Sequence, residues 1–178
     1  MKIRLILMLF MAVLLSACVK EKLETIYSRQ ETQIDAYLTK NSVVGEDTLD
    51  IVYNNGSARL IKTEGHGEEL TANGAISFYY AGYVFTSNPS TLFGTNHEET
   101  AVKAGFNVTD PDYELLEIDM RDDRLLEGVR NGLMGVKAGE ECEILFNGKY
   151  GFGNEVFGII PANSALLFKI WVVGVSNE

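Results

Sequence analysis

From residue 48 onward, the apolar positions of this chain recur mostly at every second residue, the spacing of a half-buried strand. Residues 49–53 and 57–62 flank Asn54-Asn55-Gly56, and Asn-Gly supplies the positive φ that a tight hairpin turn needs. Glu64-Gly65-His66-Gly67-Glu68 reads as a second turn. Residues 75–85, AISFYYAGYVF, predict a long aromatic-rich strand bent at Gly82. Residues 86–111 are polar and turn-rich and predict a long loop, of the kind that is usually functional or mobile. Leu116, Ile118 and Met120 alternate in the next strand, residues 113–120. Asp122 or Asp123 can then cap a short helix with Leu125, Leu126, Val129 and Leu133 on one face, ended by Gly135 and Gly139. Cys142, Ile144 and Phe146 share one face of the following strand. After a glycine-punctuated aromatic loop, residues 165–175 form an apolar run rich in β-formers that reads as a buried strand.

Ahead of residue 48 the period changes. Leu23, Ile26, Tyr27, Ile34, Tyr37 and Leu38 lie near helical spacing, interrupted by polar Gln30. They predict a helix over residues 19–41, a spacer or an element packed on the domain, with a boundary at residues 41–47. The first 18 residues have another character. Lys2 and Arg4 precede the apolar stretch 5–15, and Leu15-Ser16-Ala17-Cys18 ends it. This is the form of a secretion signal, too short to span a bilayer and expected to stand outside the fold. Its ending resembles the lipobox of bacterial lipoproteins, which implies a lipid on Cys18. The expected organisation is a signal peptide at 1–17, a lipidated N-terminus and helical tether at 18–47, and one domain at 48–178.

The chain has 178 residues and a formal net charge of −10, about −12 once Lys2 and Arg4 leave with the signal. So acidic a domain should avoid nucleic acid, and anionic membrane surfaces except through its lipid. There is no basic stripe and no phosphate-binding glycine loop. His66 and His97 are isolated and lack ligand spacing, so no metal is expected. Cys142 would be the only thiol left beside the lipidated one, and a buried inert thiol is the expectation. The carboxylates Asp119, Asp122 and Asp123, and Glu140, Glu141 and Glu143, read as solvated strand and helix ends rather than acid–base pairs.

Two blocks carry a family resemblance. Tyr150-Gly151-Phe152-Gly153 followed by Gly158-Ile159-Ile160-Pro161-Ala162-Asn163-Ser164-Ala165-Leu166-Leu167-Phe168 resembles the C-terminal signature of the FKBP-type peptidyl-prolyl isomerases. The stretch from Leu125 to Glu140, LLEGVRNGLMGVKAGE, resembles the family's helix block. The order of hairpin, Gly-X-Gly turn and Tyr-Ala-Gly strand also resembles the start of such a domain. The likeness runs from about Leu49 to Val175, ungapped only in the two blocks. It implies an α+β fold: an FKBP-like antiparallel sheet of five or six strands curled around one short helix, here with an N-terminal helical tether.

The resemblance also implies a site. Tyr80, Phe93, Leu126 and Phe152 take the positions that act on the prolyl bond, with the Leu126 backbone N–H holding a substrate carbonyl. Leu116, Leu125, Val129, Ile159, Ile160 and Phe168 take positions that bind the substrate. Three residues depart from the family pattern. Gly94 replaces the usual aspartate, Val129 replaces the frequent tryptophan floor and makes the pocket deeper and softer, and Phe152 replaces a tyrosine whose hydroxyl is a second donor. The segment between Phe93 and the next strand is also longer by roughly a dozen residues. The implied function is prolyl isomerisation of exported proteins at the bacterial cell envelope, on the outer membrane, with proline-containing polypeptides as partners and no cofactor. Two other readings remain open. One is a catalytically weak or inactive module that binds peptides or a partner lipoprotein. The other is a structural protein whose pocket is filled by Phe93 or by residues 97–112.

Overall fold

The computed structural model describes residues 2–106, 113–122 and 124–177, with side chains from Lys20 onward. Helix α1, Lys2–Asn41, is continuous. The helix expected at 19–41 is thus the second half of a longer one. The side chains behind the signal and lipidation readings, Cys18 included, lie outside the described residues. A two-stranded hairpin follows, β1 Val43–Val44 and β2 Asp47–Thr48, turning at Gly45 with φ +66°.

The main sheet has seven strands, more than the five or six expected, and every pairing in it is antiparallel. Strands β3 Ile51–Asn54 and β4 Ser57–Thr63 form the expected hairpin, with Asn55 at φ 44° and Gly56 at φ 83°. The remaining strands are β5 Ala75–Phe85, β6 Pro89–Thr95, β7 Leu116–Asp119, β8 Glu141–Phe146 and β9 Ala165–Ser176. Their order is β3-β4-β8-β9-β5-β6, and β7 pairs the first half of β5 while β6 pairs its second half. The region expected as a loop at 86–111 therefore holds β6, and also helix α2, Glu98–Lys103; residues 107–111 lie outside the described residues.

Each face of the sheet has its own helix. Helix α3, Glu127–Leu133, packs Val129 and Leu133 against Ile76, Phe78, Ile144, Phe146, Phe168 and Ile170. The approach is close enough to require glycine. A Cβ at Gly128 would lie 2.2 Å from the Phe146 ring, and one at Gly132 2.2 Å from Ile144 Cγ2. On the reverse face, Ile34, Tyr37 and Leu38 of α1 cover Ala58, Leu60, Phe85, Leu145 and Leu167.

Asp122, one of the two proposed caps, does not cap α3, whose N-cap is Leu126. Asp122 lies in the preceding turn, where its carboxylate accepts from the Arg124 backbone N–H at 3.0 Å and from Arg124 Nε at 2.5 Å; Asp123 lies outside the described residues. Hairpin β3–β4 holds α3 from behind instead. Ser57 Oγ donates to Gly128 O at 2.7 Å, and Arg59 Nη1 donates to Gly132 O and Met134 O at 2.9 and 2.8 Å.

Two of the carboxylates expected to be solvated are buried. Glu140 lies 3.1 Å from Arg59 Nε, with both side chains almost fully covered. Glu143 accepts from the Tyr37 hydroxyl at 2.9 Å and faces Lys62 and Lys169. The physical reason is that Glu143 points to the face that α1 covers, while Glu140 sits just ahead of β8, beside the Arg59 that bonds the end of α3.

Candidate functional site

A pocket of about 300 Å³ lies between α3 and the face of the sheet it packs against. Phe168, at the centre of β9, anchors it. The Phe93 ring meets Phe168 edge-on, centroids 5.6 Å apart, and Tyr80 lies 6.1 Å away. Phe146 stacks beside Phe168 at 5.9 Å. Gly82 admits Phe93 to this cluster, since a Cβ there would fall 2.5 Å from its ring.

The structure brings Tyr80, Phe93, Leu116, Leu125, Leu126, Val129, Phe152 and Phe168 to the wall of this one cavity. Ile159 and Ile160 are not among its lining residues. Ile160 is buried in the core, and its backbone exchanges two hydrogen bonds with Phe157, 2.8 and 3.1 Å long. Ile159, turned the other way, is exposed. None of residues 97–106 lines the pocket, and Phe93 forms one wall without filling it. The rest of the 97–112 segment lies outside the described residues.

Four further residues line the cavity: Phe78, Gly94, Arg124 and Phe157. Phe78 could have been found from alternation with Tyr80. Phe157 stacks on Phe152 with centroids 4.5 Å apart, and its place among the glycines of the loop was the available signal. No sequence pattern marks Arg124. It is the one charged side chain among the described lining residues, and its ion pair holds the Asp122 carboxyl below its ordinary pKa.

Asn96 fastens the Tyr80 wall from behind. Its Oδ1 accepts from the Tyr80 N–H at 2.6 Å, and its Nδ2 donates to Glu114 O at 2.9 Å. One buried amide thus ties β5 to the segment that enters β7. The thiol of Cys142 is also buried on this side of the sheet. Burial pushes its pKa well up, which keeps it protonated and unreactive.

The arrangement is an apolar cup with a half-buried tyrosine at one wall and an arginine at the rim. Its chemistry is that of packing and desolvation. Such a cup suits a small apolar ring held next to a polar backbone.

The chain is similar to several known proteins. The chain is 22% identical over 121 residues to "FK506-binding protein 1" of Aspergillus oryzae, covering 68% of this chain and 99% of that one. It is 35% identical over 65 residues to "FK506-binding protein 1A" of Neurospora crassa, covering 36% and 54%. Among solved structures it resembles the N-terminal domain of FKBP42 from Arabidopsis thaliana, with TM-score 0.58, 18% identity and coverage of 76% and 99%. It also resembles FkpA from Escherichia coli, with TM-score 0.56, 19% identity and coverage of 98% and 71%; these two likenesses bear on the fold. The model of the FKBP-type peptidyl-prolyl cis-trans isomerases matches residues 75–173, from β5 into β9. That match takes in more than half of the chain, and the protein belongs to the FKBP-type peptidyl-prolyl cis-trans isomerase family.

Proposed function

We propose that the protein is a prolyl isomerase of the bacterial cell envelope, held at the outer membrane by a lipid on Cys18, and that it assists the folding of exported proteins. The observation that carries the catalytic part is the apolar cup itself, with Tyr80, Phe93, Val129, Phe152 and Phe168 converging on one cavity. Rotation about an X–Pro bond meets a barrier of ~18–20 kcal/mol because resonance keeps the amide planar. The planar amide is more dipolar than the twisted transition state. A cup that excludes water and fits the twisted shape therefore binds the transition state better than the ground state. Each ~1.4 kcal/mol of that difference is tenfold in rate. No nucleophile, metal or proton transfer is required.

In this reading Phe93, Val129, Phe152 and Phe168 enclose the proline ring, Tyr80 borders it, and the Leu126 N–H holds a substrate carbonyl. Phenylalanine at 152 offers no hydroxyl. One orienting hydrogen bond, worth ~0.5–1.5 kcal/mol net, is absent relative to the family pattern. That favours a modest rate or an altered peptide preference. Gly94, Val129 and Phe152 together support a second reading, a peptide-binding module with little catalysis. The lipid reading rests on Leu15-Ser16-Ala17-Cys18.

The deciding experiment is cis/trans exchange of an X–Pro tetrapeptide by NMR, with protein lacking residues 1–18. Exchange well above the uncatalysed rate supports the isomerase; binding without acceleration, across several residues before the proline, leaves the module. Metabolic labelling with a fatty-acid analogue tests the anchor, with loss of label in Cys18→Ser as the expected result.

A further inference from the structure

The loop that carries Phe152 and Phe157 to the pocket is built to close on itself. It leaves β8 at Asn147 and returns to β9 after Asn163. Inside it, Gly153 N–H donates to Gly148 O at 3.0 Å, and Asn163 N–H donates to Gly153 O at 2.6 Å. Gly153 and Gly158 have φ of +54° and +56°. Glycines at such positions leave the unfastened loop many alternative conformations. At the neck the two ends touch, and a Cβ on Gly148 would lie 2.4 Å from the Asn163 carbonyl.

One side chain of α1 joins the two ends. Gln30 Oε1 accepts from the Gly148 N–H at 2.9 Å, and Gln30 Nε2 donates to Asn163 O at 2.7 Å. The task needs an acceptor and a donor on one planar group, which an amide supplies. Two neighbours reinforce it. The Tyr27 hydroxyl donates to Asn163 Oδ1 at 2.7 Å, and Asn147 Nδ2 donates to Glu31 Oε1 at 2.7 Å. Gln30 thus breaks the apolar stripe of α1 at the place where the helix meets polar backbone. Helix α1 lies ahead of the family match at 75–173.

We infer that Gln30, with Tyr27, is a positioning residue for the prolyl site: α1 clamps the neck of the loop and so sets where Phe152 and Phe157 stand. The helix is then part of the support of the pocket as well as a tether. This role rests on the isomerase reading of the same pocket.

The test uses Gln30→Glu in protein that carries α1. Above the carboxyl pKa of about 4.3 the substituted side chain accepts from Gly148 but opposes the Asn163 carbonyl. Below it, the protonated acid both accepts and donates, as the amide does. At pH 7 the variant should lose about three- to tenfold in kcat/KM. The ratio to the parent protein should recover towards one as pH falls through about 4.3. Ile34→Val, which removes one methyl from the reverse core and leaves the Gln30 amide and its two bonds in place, should keep its kcat/KM. The role is overturned by a Gln30→Glu variant within about twofold of the parent at pH 7. A deficit that ignores pH, or an equal loss in Ile34→Val, overturns it as well. A parent protein without activity overturns the isomerase reading and this role together, so the two failures are distinct.

Discussion

The Phe152 ring lies flat on Phe157, centroids 4.5 Å apart and planes 4° from parallel. Both rings line the pocket on this side, and Phe157 is largely exposed. Stacked pairs of this kind contribute ~0.5–1.5 kcal/mol beyond their buried area.

Phe157→Ala should free the Phe152 ring and lower kcat/KM for an X–Pro peptide by about three- to tenfold, with little change in unfolding midpoint. Phe152→Tyr should act in the opposite direction, because it places a hydroxyl where a donor is absent. NMR exchange rates on both variants check this. A tyrosine variant slower than the parent would show that the stack on Phe157 matters more than the added donor.

Gly82→Ala should damage the site more than the fold. The new methyl would press on the Phe93 ring, 2.5 Å away, and on Phe168, 3.1 Å away. The easiest escape for Phe93 is into the cavity of about 300 Å³. Overpacking of this sort costs ~1–3 kcal/mol. Peptide affinity should fall by about tenfold or more, which is the shift that ~1.4 kcal/mol at the site produces. Titration of a proline peptide followed by NMR shifts measures it. Unchanged affinity would mean that Phe93 yields outward.

Much of the site was legible because two sequence blocks fix their own geometry. The helix block places Leu125 and Leu126 at the entry of α3 and Val129 in its first turn, and the β9 pattern places Phe168 on the inner face. Ile159 and Ile160 were not legible in the same way. Their orientation depends on the Phe157–Ile160 backbone pair inside the loop. Strand β6 was hidden by polar Ser90 and Thr91 on a sheet edge and by register shifts opposite Gly82 and Tyr83. Helix α2, six residues long, is too short to show a period. Glu143 looked solvated because β8 alone does not reveal that α1 covers its outer face. Gln30 looked like a flaw in an amphipathic helix because its partners are over a hundred residues away in sequence.

The buried Arg59–Glu140 pair leads to a pH prediction. Burial raises the Glu140 carboxyl pKa above its ordinary value of 4.5, against the pull of Arg59. Between 4.5 and that raised value, the folded state holds more protons than the unfolded state. The contribution of Glu140 to stability therefore falls as pH rises through the window and is level above it. Arg59→Met removes the opposing charge, should extend the window upward, and should cost ~3–5 kcal/mol by leaving a buried charge alone. Arg59→Met with Glu140→Leu should recover most of that loss. Urea unfolding from pH 4.5 to 8 checks both points. A double variant no more stable than Arg59→Met would mean that the Arg59 bonds to Gly132 O and Met134 O, not the ion pair, carry the effect.

Helix α1 should unfold with the sheet and not before it. Leu38 is fully buried, and its neighbours Leu145 and Leu167 lie on β8 and β9, whose other faces build the inner core. The Tyr37 hydroxyl, whose pKa burial and Glu143 push up, stays protonated and keeps its bond to that carboxylate. Leu38→Ala should cost ~2–5 kcal/mol, as a buried leucine truncation does. The single tryptophan, Trp171, stacks on His97 at 4.0 Å on the outer face of β9 and reports on the sheet. Far-UV circular dichroism reports on the long helix. In parent and variant alike the two signals should share one denaturant midpoint, lower in the variant, because both cores share the same strands. Helical signal lost ahead of Trp171 fluorescence would show a helix that docks as a separate unit, and a clamp on the pocket loop that can open while the domain stays folded.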